Sequence, residues 1–207
     1  MSRTQETTDE SLMLAYAGGD TSSFEALFER HRCPLFTFLL HNLGDRAAAE
    51  DLFQEIFLRL IRGRTGYQPT ASFRSWLFRI AHNALTDHRR RTGLRESHAE
   101  DTTMATENDE KTDLNTSLPS RELAADPVST SQARELRERI EAALLRIPSE
   151  QREVFLLRER ASLEFQQIAE LTGHPLATVK SRMRYALANL RQRLSESLPS
   201  LSECLHE

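Results

Sequence analysis

Long apolar stretches are absent from this chain. No run approaches the ~20 residues a helix needs to cross a bilayer. The N-terminus is polar and acidic rather than built like a secretory leader, so a cytosolic protein without membrane insertion is expected. Cysteine is scarce: only Cys33 and Cys204 occur in 207 residues, near opposite ends. They do not form a pair with metal-ligand spacing, which argues against a zinc knuckle and leaves a buried thiol and a tail thiol as the plain expectation. No strand pattern rises anywhere. Overall positive charge is lacking too, with a formal net charge of -4, and this excludes a uniformly basic nucleic-acid coat. Phosphate contacts depend on local charge, however, not on the chain total.

The local charge falls in blocks. Residues 71–91 carry Arg74, Arg79, Arg89, Arg90 and Arg91 against Asp87 alone, and residues 158–193 carry seven Arg or Lys against three Glu. Between them, residues 92–130 hold nine Asp or Glu against three Arg or Lys, with Pro119 and Pro127 and no periodicity. That composition predicts a flexible acidic linker, and its length argues for two domains.

Apolar residues at helical spacing flank the linker. Asp20 to Ser23 can cap a run holding Phe24, Leu27, Phe28, Leu35, Phe36, Phe38, Leu39 and Leu40, which Pro34 either kinks or restarts. A second helix is expected from Arg46 to Arg62 and a third from Ser72 to Arg90, with a loop from Gly63 to Pro69 between them. Beyond the linker, helices are expected from Ser131, from Pro148-Ser149-Glu150, over Ser162 to Leu171 and over Leu176 to Leu194. The predicted fold is all-α, with two small helical domains: an N-terminal flexible or first-helix segment 1–19, frayed over residues 1–10, a domain 20–92, the linker 93–130, a domain 131–194 containing a helix-turn-helix, and a polar tail 195–207.

The helix-turn-helix is the sharpest local signal. Glu164 to Leu171 reads as its first helix, Thr172-Gly173-His174-Pro175 as its turn and Leu176 onward as its second helix. Gly173 permits a positive φ at a helix end, and Pro175 suits the first turn of the next helix. Ile168, Ala169, Leu171, Leu176 and Val179 are expected inside. Thr178, Lys180, Ser181, Arg182 and Arg184 are left on or near the surface, where such side chains reach bases or phosphates in a major groove.

Two N-terminal segments also carry function-bearing patterns. In Ala49 to Leu60, Asp51, Gln54, Glu55 and Leu58 lie three or four apart and form one stripe, while Phe53, Ile56, Phe57 and Leu60 fill a core. The paired carboxylates raise general acid–base chemistry, but no distant acid, His cluster or phosphate loop joins them, so neither catalysis, a cofactor nor a metal is expected. Phe73 to Arg91 interleaves aromatic, amide and basic groups, as single-stranded DNA binders do. Trp76 shares a face with Phe73 and Ile80 and is assigned to the core.

These motifs together resemble the sigma-70 family of bacterial RNA polymerase sigma factors, in the extracytoplasmic-function type. The first block, about residues 20–92, resembles region 2, and the second, 131–194, resembles region 4, with Phe53 and Ala177 where the family often has Val and Gly. The resemblance implies promoter-specific transcription initiation with core RNA polymerase as partner, through the clamp helices of its largest subunit and its flap region. Asp51, Gln54, Glu55 and Leu58 would face the polymerase. Arg74, Arg79, Asn83, Asp87, Arg90 and Arg91 would handle the minus-10 element, with Asp87 either touching DNA or orienting Arg90 or Arg91. Thr178, Lys180, Ser181, Arg182 and Arg184 would read the minus-35 element. An anti-sigma factor is implied as a further partner. The rival readings are a stand-alone helix-turn-helix regulator, which leaves the N-terminal motifs without a task, and a helical interaction module, which leaves the reader helix unexplained.

Overall fold

The computed structural model describes residues 7–93, 135 and 138–196. The expected linker, apart from Gly93, lies outside the described residues, as do most of the expected tail and Cys204. Everything regular that is described is helical: α1 (Asp9–Ala17), α2 (Thr21–Leu43), α3 (Arg46–Gly63), a 3-10 turn (Arg64–Gly66), α4 (Phe73–Arg91), α5 (138–145), α6 (Ser149–Glu159), α7 (Phe165–Thr172) and α8 (Leu176–Glu196).

Local chemistry sets the helix ends. Asp20, Asp45 and Ser72 cap α2, α3 and α4 by accepting from the amides of Ser22, Ala48 and Ser75 at 3.0, 3.1 and 3.2 Å. Gly44 ends α2 at φ 70° and Gly173 ends α7 at φ 71°, conformations that a Cβ would strain. Helix α2 passes through Pro34 without a break.

Three expectations are corrected here. Residues 1–10 are not frayed throughout, because Asp9 and Glu10 already belong to α1, which buries Leu12, Met13 and Tyr16. The first reader helix starts at Phe165 rather than Ser162. Ser162 takes a left-handed φ of 51° and turns the chain, and Glu164 with Gln167 then forms a capping box. Cys33 is exposed, not buried.

Helices α1 to α4 enclose one half of the core. Phe24, Phe28, Phe53 and Phe57 form an aromatic cluster, with the rings of Phe28 and Phe57 4.9 Å apart. Phe38 packs edge-on against Phe78 at 5.4 Å. Helices α5 to α8 gather around Leu144, Leu156, Leu157, Ile168 and Val179. Each fully buried side chain of this size contributes roughly 1.5–3 kcal/mol. The Arg152 guanidinium is buried at the end of α5, where it donates to the Leu145 carbonyl at 2.9 Å. The two halves also touch each other: α6 lies on α2, and α7 lies on α4.

Candidate polymerase and nucleic-acid interfaces

Helix α3 has two faces. Ala49, Leu52, Ile56, Phe57 and Leu60 are buried, while Asp51, Gln54 and Leu58 are exposed on the other side. Leu58 is 50% exposed and lies on the same face as Asp51 and Gln54. Glu55 differs from the rest of the expected stripe. Its carboxylate accepts from Arg59 at 2.5 Å and lies 3.6 Å from Arg91 of α4, so its charge is already shared.

On α4, Arg79, Asn83, Thr86 and Arg90 form an exposed stripe. Arg79 and Asn83 make no hydrogen bond among the described residues. Asp87 pairs with Arg90 at 3.1 Å and faces Arg59 at 3.9 Å. Arg91 donates to the Asp87 carbonyl at 3.4 Å. Arg74 stands apart from the stripe, in a cleft of about 340 Å³ shared with Asp9, Glu10, Ser162 and Glu164. Trp76 is half-buried and packs against the edge of the core rather than within it, with ring centroids 5.1 Å from Tyr67 and 6.0 Å from Phe73.

The reader helix α8 is pinned by Val179, Met183, Ala186 and Leu190. Lys180 and Arg184 are exposed, and Thr178 and Ser181 half-buried, the Ser181 hydroxyl donating to the Thr178 carbonyl at 2.9 Å. Arg184 lies over the Tyr185 ring at 5.1 Å. Arg182 is held differently: its side chain is 17% exposed and bonds Glu150 at the start of α6.

Nothing in the sequence marked a polar cluster that joins the two halves. Glu153 of α6 is buried, with Oε1 2.5 Å from His82 Nδ1 and Oε2 accepting from Arg89 Nη1 at 3.1 Å. Burial raises its carboxyl pKa, but hydrogen bonds and charge from His82 and Arg89 outweigh that and hold it below the usual range. Arg89 also donates to the Asn42 side chain at 3.2 Å, and Arg152 donates to the Asn42 carbonyl at 3.2 Å. His41 faces Glu141 at 3.5 Å. Among the described residues, no group of three His, Cys, Asp or Glu side chains could hold a metal ion, and no helix is long and apolar enough to cross a membrane.

A helix-turn-helix with a basic outer face, joined to a basic, amide-bearing helix beside an acidic docking face, defines a DNA-handling helical protein. Comparison with known proteins makes this specific. The sequence matches Sigma-70 region 2 over residues 27–95 and Sigma-70, region 4 over residues 137–190. It is 31% identical to the ECF RNA polymerase sigma factor SigL of Mycobacterium tuberculosis over 182 residues, covering 87% of this chain and 93% of that protein. It is 29% identical to the RNA polymerase sigma factor CarQ of Myxococcus xanthus over 187 residues, covering 89% of this chain and 96% of that one. The fold is shared with CnrH, solved with the cytosolic domain of CnrY, at a TM-score of 0.63 and 21% identity over 92% of this chain and 99% of that one. It is also shared with the sigma factor RpoE of Bartonella quintana, solved with the anti-sigma factor NepR, at a TM-score of 0.59 and 18% identity over 83% and 96%. The chain belongs to the sigma-70 family, among its extracytoplasmic-function members. It is a non-enzymatic factor for promoter-directed transcription initiation with RNA polymerase.

Proposed function

We propose a division of labour for that initiation role. Residues 20–92, with α1 packed against them, form the region 2 unit, and 131–194 form the region 4 unit. Asp51, Gln54 and Leu58, flanked by Glu55, dock on the clamp helices of the largest polymerase subunit, and region 4 meets the flap region. Arg79, Asn83 and Arg90, with Arg74, Asp87 and Arg91 around them, capture the minus-10 element as its strands part. Thr178, Lys180, Ser181 and Arg184 read the duplex minus-35 element, with Arg182 at the edge of that surface. The work takes place in the cytoplasm, and an anti-sigma factor that covers these faces restrains it, as NepR partners RpoE.

The observation that carries this reading is the exposed stripe of α4, where Arg79 and Asn83 have no partner among the described residues although the same helix buries Phe73, Leu77, Phe78 and Leu85. Runoff transcription with purified core polymerase on a library of upstream regions tests it. New, discrete start sites sharing two spaced upstream elements are expected only when the protein is added. The combined Arg79→Ala and Asn83→Ala variant should bind core and fail to open the promoter. If the unsubstituted protein neither binds core nor creates starts, the division of labour is wrong.

A further inference from the structure

Glu153 closes one half of the molecule on the other through two donors of α4 that the assignment above leaves unused. Resting on the reading of α4 as the minus-10 helix, we infer that His82 and Arg89 form a site for a DNA backbone phosphate, which the Glu153 carboxylate occupies while the two units are closed on each other.

Three features of the site support this. First, the donors converge on one anion. His82 Nδ1 lies 2.5 Å from one carboxylate oxygen, and Arg89 Nη1 donates to the other at 3.1 Å. A phosphodiester presents the same pair of charged oxygens to such a fork. Second, the region 2 unit prepares the site by itself. The second guanidinium nitrogen of Arg89 donates to Asn42 Oδ1 at 3.2 Å, and the Asn42 amide donates to the Phe38 carbonyl at 2.9 Å. Third, no acid of that unit pairs with His82 or Arg89 among the described residues: Asp87 serves Arg90 and Arg59, and Glu55 serves Arg59 and Arg91. Once Glu153 leaves, two donors stand empty beside the stripe of Arg79, Asn83 and Arg90.

Glu153 must leave for both elements to be read. By their names, minus-10 and minus-35 are about 25 base pairs apart, roughly 85 Å of B-form DNA at 3.4 Å per pair. The reader helix has 21 residues, which at 1.5 Å per residue is about 32 Å. With α7 resting on α4, it cannot lie on the distant element.

The test uses holoenzyme assembled from core polymerase and the full chain, bound to a promoter duplex with a pre-melted minus-10 segment at several salt concentrations. R89Q and H82Q should each weaken binding by about tenfold, the loss expected of a charge-assisted hydrogen bond. R89Q should also make the salt dependence shallower by about one counterion. E153Q should bind as tightly as the unsubstituted protein or more tightly. A scan of neutral methylphosphonate linkages should find a position that weakens the unsubstituted holoenzyme and leaves R89Q unchanged. Equal core binding by all the variants controls for folding. If R89Q and E153Q shift DNA affinity in the same direction, or every linkage affects R89Q and the unsubstituted protein alike, the cluster merely holds the units together and the phosphate site is refuted. Failure of the unsubstituted holoenzyme to bind would be seen before any substitution; it would refute the initiation reading, and this site with it.

Discussion

Arg182 and Arg184 stand two positions apart on α8 and are held in different ways. Arg182 is packed down to 17% exposure and bonds Glu150, whereas Arg184 pairs with no acid among the described residues and rests on the Tyr185 ring. Glu150 is half-exposed, so the pair is close to a surface ion pair, worth ~0.2–1 kcal/mol. Arg182→Ala should therefore lower the melting temperature by about 1–3 °C for a chain of this size, because it loosens α8 from α6. Lys180 is exposed and makes no bond among the described residues, so Lys180→Ala should leave melting unchanged. It should instead weaken holoenzyme binding about equally across promoters and reduce the salt slope by about one. Calorimetry beside salt-titrated promoter binding separates the two effects. A changed ranking of promoters in K180A would assign Lys180 to a base rather than a phosphate.

Among the elements, α1 ties together residues far apart in the chain. Glu10 accepts from the Phe73 amide at 2.8 Å and so completes the cap of α4. Asp9 accepts from Arg30 at 2.9 Å and lies 2.7 Å from His31 Nε2. Burial lowers the His31 pKa more than the Asp9 charge raises it, and Arg74 and Arg30 add to the lowering. Burial pulls Asp9 upward, but the bonds and charges of Arg30 and His31 leave it below its usual range. Both shifts have the same consequence. Each group binds a proton more readily unfolded than folded, so stability rises with pH through its window and is lost on acidification. His31 loses its share as pH falls from about 6.5 through its lower folded value, and Asp9 loses its share below about 3.9. Protection factors of the α1 amides, with each exchange rate divided by the unstructured rate at the same pH, should therefore fall between pH 7 and pH 5, and His31→Gln should flatten that dependence. An unchanged slope in H31Q would move the effect to His41, which burial also lowers.

This helix was poorly legible in the sequence for a physical reason. Its partners sit at residues 30, 31 and 73, and its own nine residues bury only Leu12, Met13 and Tyr16. By contrast α2, α3, α4 and α8 carry sustained apolar spacing, and a capping side chain marks the start of the first three, so their bounds could be read to within about two residues. The start of α7 was placed at Ser162, while the working signal was the reciprocal pair of Glu164 and Gln167. The exposed members of the three candidate faces were legible because solvent-facing polar residues on amphipathic helices follow from spacing. The cluster around Glu153 was not, because its partners lie 64 and 71 residues away, and a single glutamate on a helix reads as solvated.

At the scale of the molecule, closure joins polar contacts to an apolar core that runs through both halves. Besides Glu153, it rests on Arg152 to the Asn42 carbonyl at 3.2 Å, on His41 facing Glu141 at 3.5 Å, and on Leu145, which would stand 3.2 Å from a Cβ built on Gly44. Leu145 remains 45% exposed. Removing one partner of a buried charged group costs ~3–5 kcal/mol, because the remaining charges stay desolvated, and opening relieves that cost. Glu153→Ala should therefore open the chain without polymerase. Dyes on Cys33, which is exposed on α2, and on a cysteine replacing the exposed Ala188 of α8, with Cys204→Ser, would report the distance between the units. High transfer efficiency is expected for the free chain and low efficiency with core polymerase, and E153A alone should already be low. If E153A stays as closed as the parent while core still opens it, the seam is held by Arg152 and Leu145 instead. Arg152→Leu would then be the substitution that separates the units.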